Sequence, residues 1–103
     1  MNLYRIHIPR RTNDGASYVR ARLAFALEIN AIAGGHTWFA VQGQWTDDGE
    51  LYDEPMIAYE VACDAAQWAS IVQVAHEVFS DQICLFVAQI GQAELSYTKT
   101  RAA

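Results

Sequence analysis

The stretch GGHTWFAVQGQWTDDGELYDE, from Gly34 to Glu54, decides the fold of this chain. Its two leading glycines supply the left-handed backbone conformation that commonly ends a helix. His36–Thr46 then predicts a strand, and Asp47-Asp48-Gly49 predicts a tight hairpin turn, because an Asp-Gly step tolerates positive φ angles. The chain therefore returns as an antiparallel neighbour, which we expect to span Glu50–Ala62.

Upstream of this stretch, the sequence predicts one strand and one helix. Apolar and polar side chains alternate over Asn2–Pro9, as in a strand with one buried face. Ser17–Ala33 repeats apolar residues at helical spacing, and Asn13 or Asp14 is placed to cap that helix. We expect its buried stripe to contain Tyr18, Ala21, Phe25, Ile29 and Ile32, widened by Leu23 and Leu27.

Downstream, the sequence predicts a second helix and a last strand. Asp64 and Gln67 resemble a capping box, which indicates a helix that begins there and continues to Phe79. Gln82–Tyr97 predicts the last strand, with an apolar run over residues 83–88 that is typical of a strand covered on both faces, and Gly91 indicates a bulge. The predicted buried stripe of the helix is Ala65, Trp68, Ile71, Val72, Ala75 and Phe79.

The order strand, helix, strand, strand, helix, strand is that of the ferredoxin-like β-α-β-β-α-β sandwich. We therefore expect an α+β fold, with a four-stranded antiparallel sheet and two helices on one of its faces. A chain of 103 residues is typical of one domain, so residues 1–103 are expected to form a single ferredoxin-like domain. The opposite face of the sheet is expected to be open.

The composition indicates apolar surface beyond a normal core. Hydrophobic residues make up 52% of the chain and charged residues 18%, against a usual charged share of about 25%. Either the core is large for this length, or a second copy or another protein covers part of the surface. The net charge of -5 disfavours direct binding to nucleic acid, which usually requires a basic surplus.

The charges are also segregated along the chain. From Leu23 to Thr98 there is no Lys or Arg, although eleven of the twelve acidic residues lie there. Such a surface is either a solvated face that aids solubility or an acidic patch that binds a basic partner. One form of the second case is an inhibitor of a nucleic-acid-handling complex, whose affinity would fall steeply as salt is added.

Cysteine usage and hydropathy point to the cytoplasm. Cys63 and Cys84 are far apart in sequence and in no metal-like spacing, so we expect two free, buried thiols in an intracellular protein. Asn2–Pro9 alternates like a strand, so no N-terminal signal is predicted. Val19–Ala33 is too short and too interrupted by polar residues to span a membrane.

The central stretch from Gly34 to Glu54 also resembles one group of known proteins. Gly34-Gly35-His36-Thr37, Gly43-Gln44-Trp45, Asp48-Gly49 and Glu54 resemble a Gly-Gly-x-Thr, Gly-x-Trp, Gly, Glu pattern in a group of small uncharacterised bacterial proteins. These are similar to ferredoxin-like α+β domains. The resemblance covers about a quarter of the chain and implies that fold, but it brings no catalytic residues with it.

No catalytic or metal-binding constellation is predicted. Five acids between Asp47 and Glu54 surround the turn, but their spacing does not match a calcium loop, so we expect neither a metal nor a cofactor. The three histidines and two cysteines lie in no paired motif, so no catalytic residue is assigned. The candidate binding residues, chosen as aromatic, imidazole or acidic groups near the hairpin, are His36, Trp38, Trp45, Asp47, Asp48, Glu54 and Tyr59.

Two hypotheses about function follow. The first is a non-enzymatic protein-interaction module, which forms a homodimer or holds a protein partner through its aromatic residues and acidic surface. The second is a small ligand-binding domain or enzyme with a pocket near Trp45 and Glu54, where apolar surroundings would raise the pKa of the carboxyl group.

Overall fold

The computed structural model describes residues 1–99, and it confirms the predicted fold class. Its sheet has the strand order β2-β3-β1-β4, and every neighbouring pair of strands is antiparallel. Both helices pack on one face of this sheet, called here the inner face, in the ferredoxin-like arrangement. The elements are β1 (Asn2–Pro9), α1 (Val19–Ala33), β2 (Thr37–Asp47), β3 (Glu50–Cys63), α2 (Ala65–Val78) and β4 (Phe86–Gln92).

The core lies between the two helices and the inner face. The alternation predicted for β1 is confirmed, because Tyr4, Ile6 and Ile8 are all buried there. Aromatic rings hold the layers together: the Phe25 ring packs edge-on against Tyr59, with ring centroids 5.2 Å apart, and against Phe79, at 5.5 Å. The helical stripes come together in one cluster that includes Phe25, Ile29, Ile71, Ala75 and Phe79.

The start of α1 differs from the prediction. The helix begins at Val19, and neither Asn13 nor Asp14 caps it; the Ser17 hydroxyl instead accepts a hydrogen bond from the Val19 amide. The predicted widening of the buried stripe is wrong, since Leu23 is 62% exposed and Leu27 is 70% exposed. The narrower stripe through Phe25 and Ile29 faces the sheet, and these two leucines lie beside it without cover.

The start of α2 is as predicted. The Asp64 carboxylate accepts a hydrogen bond from the Gln67 amide at 2.8 Å, and the Gln67 side-chain oxygen accepts one from the Asp64 amide at 3.0 Å. Gln67 also donates to the carbonyl of Ile32 at 3.1 Å, which ties the start of α2 to the end of α1. Ala65 is exposed, contrary to its place in the predicted stripe, and Val74 and Val78 pack on the core.

The last strand is shorter than predicted and is covered differently. β4 spans Phe86–Gln92 rather than 82–97, and Ile83 lies before it fully in solvent, at 99% exposure. The predicted burial on both faces is wrong, because β4 is an edge strand and the helices of residues 1–99 pack on one side of the sheet. Cys84 is accordingly exposed, whereas Cys63 is buried as expected. The bulge predicted at Gly91 is confirmed by a register shift opposite β1.

None of the helices within residues 1–99 is long and apolar enough to cross a lipid bilayer.

Candidate functional site

Strands β2 and β3 continue beyond the rest of the sheet. The last residue pair between β1 and β3 is Pro9 with Met56, whereas β2 and β3 remain paired out to Asp47 with Glu50. Residues 42–55 therefore form a two-stranded ribbon with no third strand from residues 1–99 beside it, called here the hairpin extension. Asp48 and Gly49 make its turn with positive φ angles of 52° and 79°, which agrees with the turn predicted from the Asp-Gly step.

The face of the sheet that points away from the helices, called here the outer face, carries an apolar stripe. Strand alternation and register place Phe39, Val41 and Met56 on it, and these three are half-buried. Ala58 lies between His7 and Phe39 in the register and is fully shielded. No helix within residues 1–99 packs on this face, so its larger apolar side chains have solvent above them.

The apolar stripe continues onto the hairpin extension. Trp45 and Tyr52 are paired across the two strands on the outer face, and their rings are stacked with centroids 6.1 Å apart and an angle of 15°. Each side chain is 41% exposed. At the other end of the outer face, Phe86 is 58% exposed and packs against His7 at a ring-centroid distance of 4.8 Å.

Charges near the middle of the outer face neutralise one another. Arg5 donates to Glu60 through Nε at 2.9 Å and through a terminal nitrogen at 2.5 Å, and it also lies over the Phe39 ring at 5.4 Å. Burial, and secondarily the charge of Arg5, lowers the pKa of His7, whose Nε2 is shielded and has no hydrogen-bond partner among residues 1–99. The centre of this face is therefore close to neutral, as a contact surface between proteins requires.

Glu54 is the unusual acid of the hairpin extension. It lies on the outer face between Tyr52 and Met56 along β3, opposite Gly43 on β2. Burial raises its pKa, and its carboxylate makes no side-chain hydrogen bond to any residue in 1–99. A Cβ built at Gly43 would lie 3.4 Å from the Met56 sulfur and 3.5 Å from the Trp45 ring, so both side chains lean over the glycine.

The remaining acids of the hairpin extension form an exposed tip. Asp47 and Asp48 are in solvent at the turn, Glu50 accepts a hydrogen bond from the Tyr52 hydroxyl at 3.2 Å, and Asp53 accepts one from Gln42 at 2.7 Å. Across residues 1–99, no group of three or more His, Cys, Asp and Glu side chains is placed to hold a metal ion. The tip is a negative surface that no basic residue of the extension offsets.

A second cluster lies on the other side of the sheet, where α1 meets the edge strand β2. Trp38, which is 62% exposed, and Tyr59, which is buried, line a groove there of about 160 Å³. The ring centroids of His36 and Tyr59 lie 5.7 Å apart, and His36 Nδ1 donates a hydrogen bond to the Asn30 side-chain oxygen at 2.8 Å. This groove, called here the helix groove, is lined by Val19, Arg22, Leu23, Ala26, Trp38, Ile57 and Tyr59.

The predicted site residues therefore fall into two groups. Trp38 and Tyr59 line the helix groove, and His36 packs against Tyr59 beside it. The other four, Trp45, Asp47, Asp48 and Glu54, lie on the hairpin extension. No hydrogen bond joins Glu54 to a histidine within residues 1–99, so the acid-base pair that would favour an enzyme is not formed there.

Sequence reasoning missed Arg22 and Phe86. In the sequence, Arg22 is one of the polar residues that interrupt the apolar pattern of Val19–Ala33, although its i, i+4 relation to Ala26 places both on one helical face. The apolar run over residues 83–88 predicts that Phe86 lies in a strand covered on both faces, whereas its register opposite His7 puts it on the open face.

Comparisons with known proteins establish the fold and nothing finer. No protein-family model matches the chain, and no curated protein matches it. Solved structures do: the divalent cation tolerance protein Cut A1 from Thermus thermophilus superposes with a TM-score of 0.67 at 10% identity, over 92% of this chain and 86% of that one. The periplasmic divalent cation tolerance protein CutA from Archaeoglobus fulgidus superposes with a TM-score of 0.64 at 13% identity, over 94% of this chain and 87% of that one.

A phage SAM lyase in complex with S-methyl-5'-thioadenosine gives a TM-score of 0.60 at 18% identity, over 96% of this chain and 88% of that one. All three identities are too low to transfer an activity. The chain therefore has the ferredoxin-like α+β fold found in CutA proteins and in this lyase.

Proposed function

We propose that this protein is a self-associating interaction domain, in which the outer face and the hairpin extension pack against further copies of the chain. The observation that carries the proposal is the stacked pair Trp45 and Tyr52, held on a ribbon that no third strand of the described residues supports. A two-stranded hairpin is marginally stable in water by itself, and contact with another copy would supply the missing support.

The chemistry of the outer face supports this proposal. Its centre is apolar, and its main charges, Arg5 and Glu60, satisfy each other. Soluble monomers rarely leave a continuous apolar patch larger than a few hundred Å² in contact with water. Trp45 and Tyr52 at the tip end of this face, and Phe86 at the β4 edge, add exposed aromatic surface to it.

Light scattering on the purified chain over a dilution series tests self-association. We expect a mass that is a multiple of 11.5 kDa at high concentration and that falls towards 11.5 kDa on dilution. A mass of one chain at every concentration would contradict the proposal and would leave the outer face for a different protein.

A second candidate function is the binding of a nucleoside that carries a methylthio or sulfonium group. Two observations favour it: the similarity of fold to a lyase bound to S-methyl-5'-thioadenosine, and the position of Glu54 beside an aromatic pair. Aromatic faces attract organic cations, and a positive charge close to Glu54 would stabilise its ionised form. The affinity for a sulfonium ligand should therefore rise with pH as Glu54 ionises.

Titration calorimetry with S-methyl-5'-thioadenosine and with S-adenosylmethionine tests this candidate, with chromatography of the mixture to detect cleavage. Glu54→Gln should weaken binding of the sulfonium compound, whereas Asp53→Asn should not, because Asp53 lies on the opposite side of the same strand. Equal affinity of both variants and the wild type for that compound would remove Glu54 from the site.

A further inference from the structure

The helix groove contains an arginine whose charge is not paired with an acid among residues 1–99. Nε of Arg22 is shielded from solvent and has no hydrogen-bond partner within residues 1–99. The ion pair found within residues 1–99 joins Arg5 to Glu60 on the outer face, and no acid from that range lines the groove. A shielded donor without an acceptor is unfavourable. The guanidinium group does contact the Tyr59 hydroxyl by a hydrogen bond, but that partner is neutral, so the positive charge has no anion beside it.

The rest of the groove is suited to a flat apolar group. Trp38 presents an indole that is 62% exposed, and the remaining lining consists of aliphatic side chains and the Tyr59 ring. Its volume is about 160 Å³. A cavity of about 150 Å³ accommodates a benzene ring, so the groove has room for one ring rather than for a nucleotide.

We propose that the helix groove binds a small aromatic carboxylate, whose ring packs against Trp38 while its carboxylate accepts hydrogen bonds from Arg22. The planar guanidinium group matches a carboxylate through paired hydrogen bonds, which is why arginine recognises this group well. The site is separate from the outer face: the groove is lined by α1 and by residues whose side chains point to the helix side of the sheet.

The ring and the charge are both required by this arrangement. A neutral amide of the same shape would leave the guanidinium group without an anion, and a saturated ring would lose the flat contact with the indole. The ligand also has few atoms, so a dissociation constant on the order of 1 mM is expected from the limited contact that a small molecule makes.

The experiment follows the indole N–H signal of Trp38 by NMR while benzoate is added to the full chain. Benzamide tests the carboxylate and cyclohexanecarboxylate tests the flat ring. Arg22→Met removes the charge but keeps the aliphatic stem, Arg22→Lys keeps a charge without the planar fork, and Arg20→Met is the matched control. Arg20 is exposed on the same helix and does not line the groove.

We expect saturable benzoate binding that Arg22→Met weakens by about tenfold or more, with an intermediate loss for Arg22→Lys and a change of less than about twofold for Arg20→Met. Benzamide should also bind the wild type about tenfold more weakly. If Arg22→Met does not fold, the affinities of the wild type for benzoate and for benzamide are sufficient by themselves to test whether the carboxylate is needed.

Three outcomes would overturn the proposal. One is the absence of any saturable shift of the Trp38 signal with benzoate at about 10 mM, well above the expected dissociation constant. Another is equal affinity for benzoate and benzamide, which would show that the cation does not take part. The third is a shift of the Trp38 indole signal that grows with protein concentration alone and prevents benzoate from binding. That result would make a second copy of the chain the occupant of the groove.

Discussion

Replacing Trp45 with serine should weaken self-association strongly, because this side chain is the largest apolar group at the end of the outer face. An aromatic side chain buries about 150–250 Å² when fully covered. Trp45 is 41% exposed in the single chain, so about 80 Å² remains to be covered by a partner. At about 25 cal/mol per Å², that area contributes about 2 kcal/mol per copy.

In a contact formed by the same surface on two copies, both Trp45 side chains are lost at once. The loss then doubles to about 4 kcal/mol, which corresponds to an increase in the dissociation constant on the order of 1,000-fold. Sedimentation equilibrium over a range of concentrations measures that constant for the wild type and for each variant.

Leu51→Ser is the matched control for this experiment. Leu51 is 65% exposed on the same ribbon, but strand alternation places its side chain on the opposite face from Trp45. Its replacement should leave the dissociation constant within about threefold of the wild type. Similar dissociation constants for both variants would refute the reasoning, because the outer face would then have no special role in association.

The stability of the ribbon itself needs a separate readout. Trp45→Ser also removes the stack on Tyr52, and an aromatic pair contributes about 0.5–1.5 kcal/mol beyond its area. Thermal unfolding at a concentration where both proteins are single chains measures this term. A change in association that exceeds it by several-fold can then be assigned to the contact between copies.

Three further predictions concern stability. Burial raises the folded pKa of Glu54 above 4.5, so its stabilising contribution is present below that pH and is lost as the pH rises through the folded pKa. Glu54→Gln should abolish this pH dependence of the free energy of unfolding, measured with urea. The lowered pKa of His7 acts in the opposite sense. The stabilising contribution of His7 is present above pH 6.5 and is lost as the pH falls through its folded pKa. His7→Gln should therefore remove this part of the pH dependence of the free energy of unfolding. Asp64→Ala should cost about 1 kcal/mol in the free energy of unfolding and Asp64→Asn much less, since asparagine also caps helices; equal losses would argue against the cap.

The strongly patterned parts of the chain were predictable from the sequence. The stretch from Gly34 to Glu54 combines a helix stop, an Asp-Gly turn and two strands, and each local signal favours the same hairpin. The capping box at Asp64 is likewise local, because both of its partners lie within one turn of helix. Local chemistry of this kind does not depend on how the elements pack.

The errors arose where packing decides. An apolar run such as that from residue 83 to residue 88 does not say whether its strand lies inside the sheet or at an edge, and β4 is an edge. Leu23 and Leu27 follow helical spacing, but α1 is covered along one stripe only. Several apolar residues that were predicted to be buried, among them Leu23, Leu27 and Phe86, are exposed on the surface of the single chain.

The candidate site was only half predictable for a related reason. Aromatic and acidic residues could be chosen by type, but their division between the helix groove and the hairpin extension depends on strand register, which the sequence alone does not fix. Arg22 was missed because its significance lies in a shielded Nε without an acceptor and a charge without an acid, and both are visible only in three dimensions.

Hydroxyl-radical footprinting at high and low protein concentration tests most directly whether the outer face is the surface that associates. We expect Trp45, Tyr52 and Phe86 to be oxidised more slowly in the concentrated sample, while Leu51 on the opposite side of the ribbon keeps one rate at both concentrations. Equal rates for the three aromatic residues at both concentrations, in a sample that light scattering shows to be associated, would contradict the proposal.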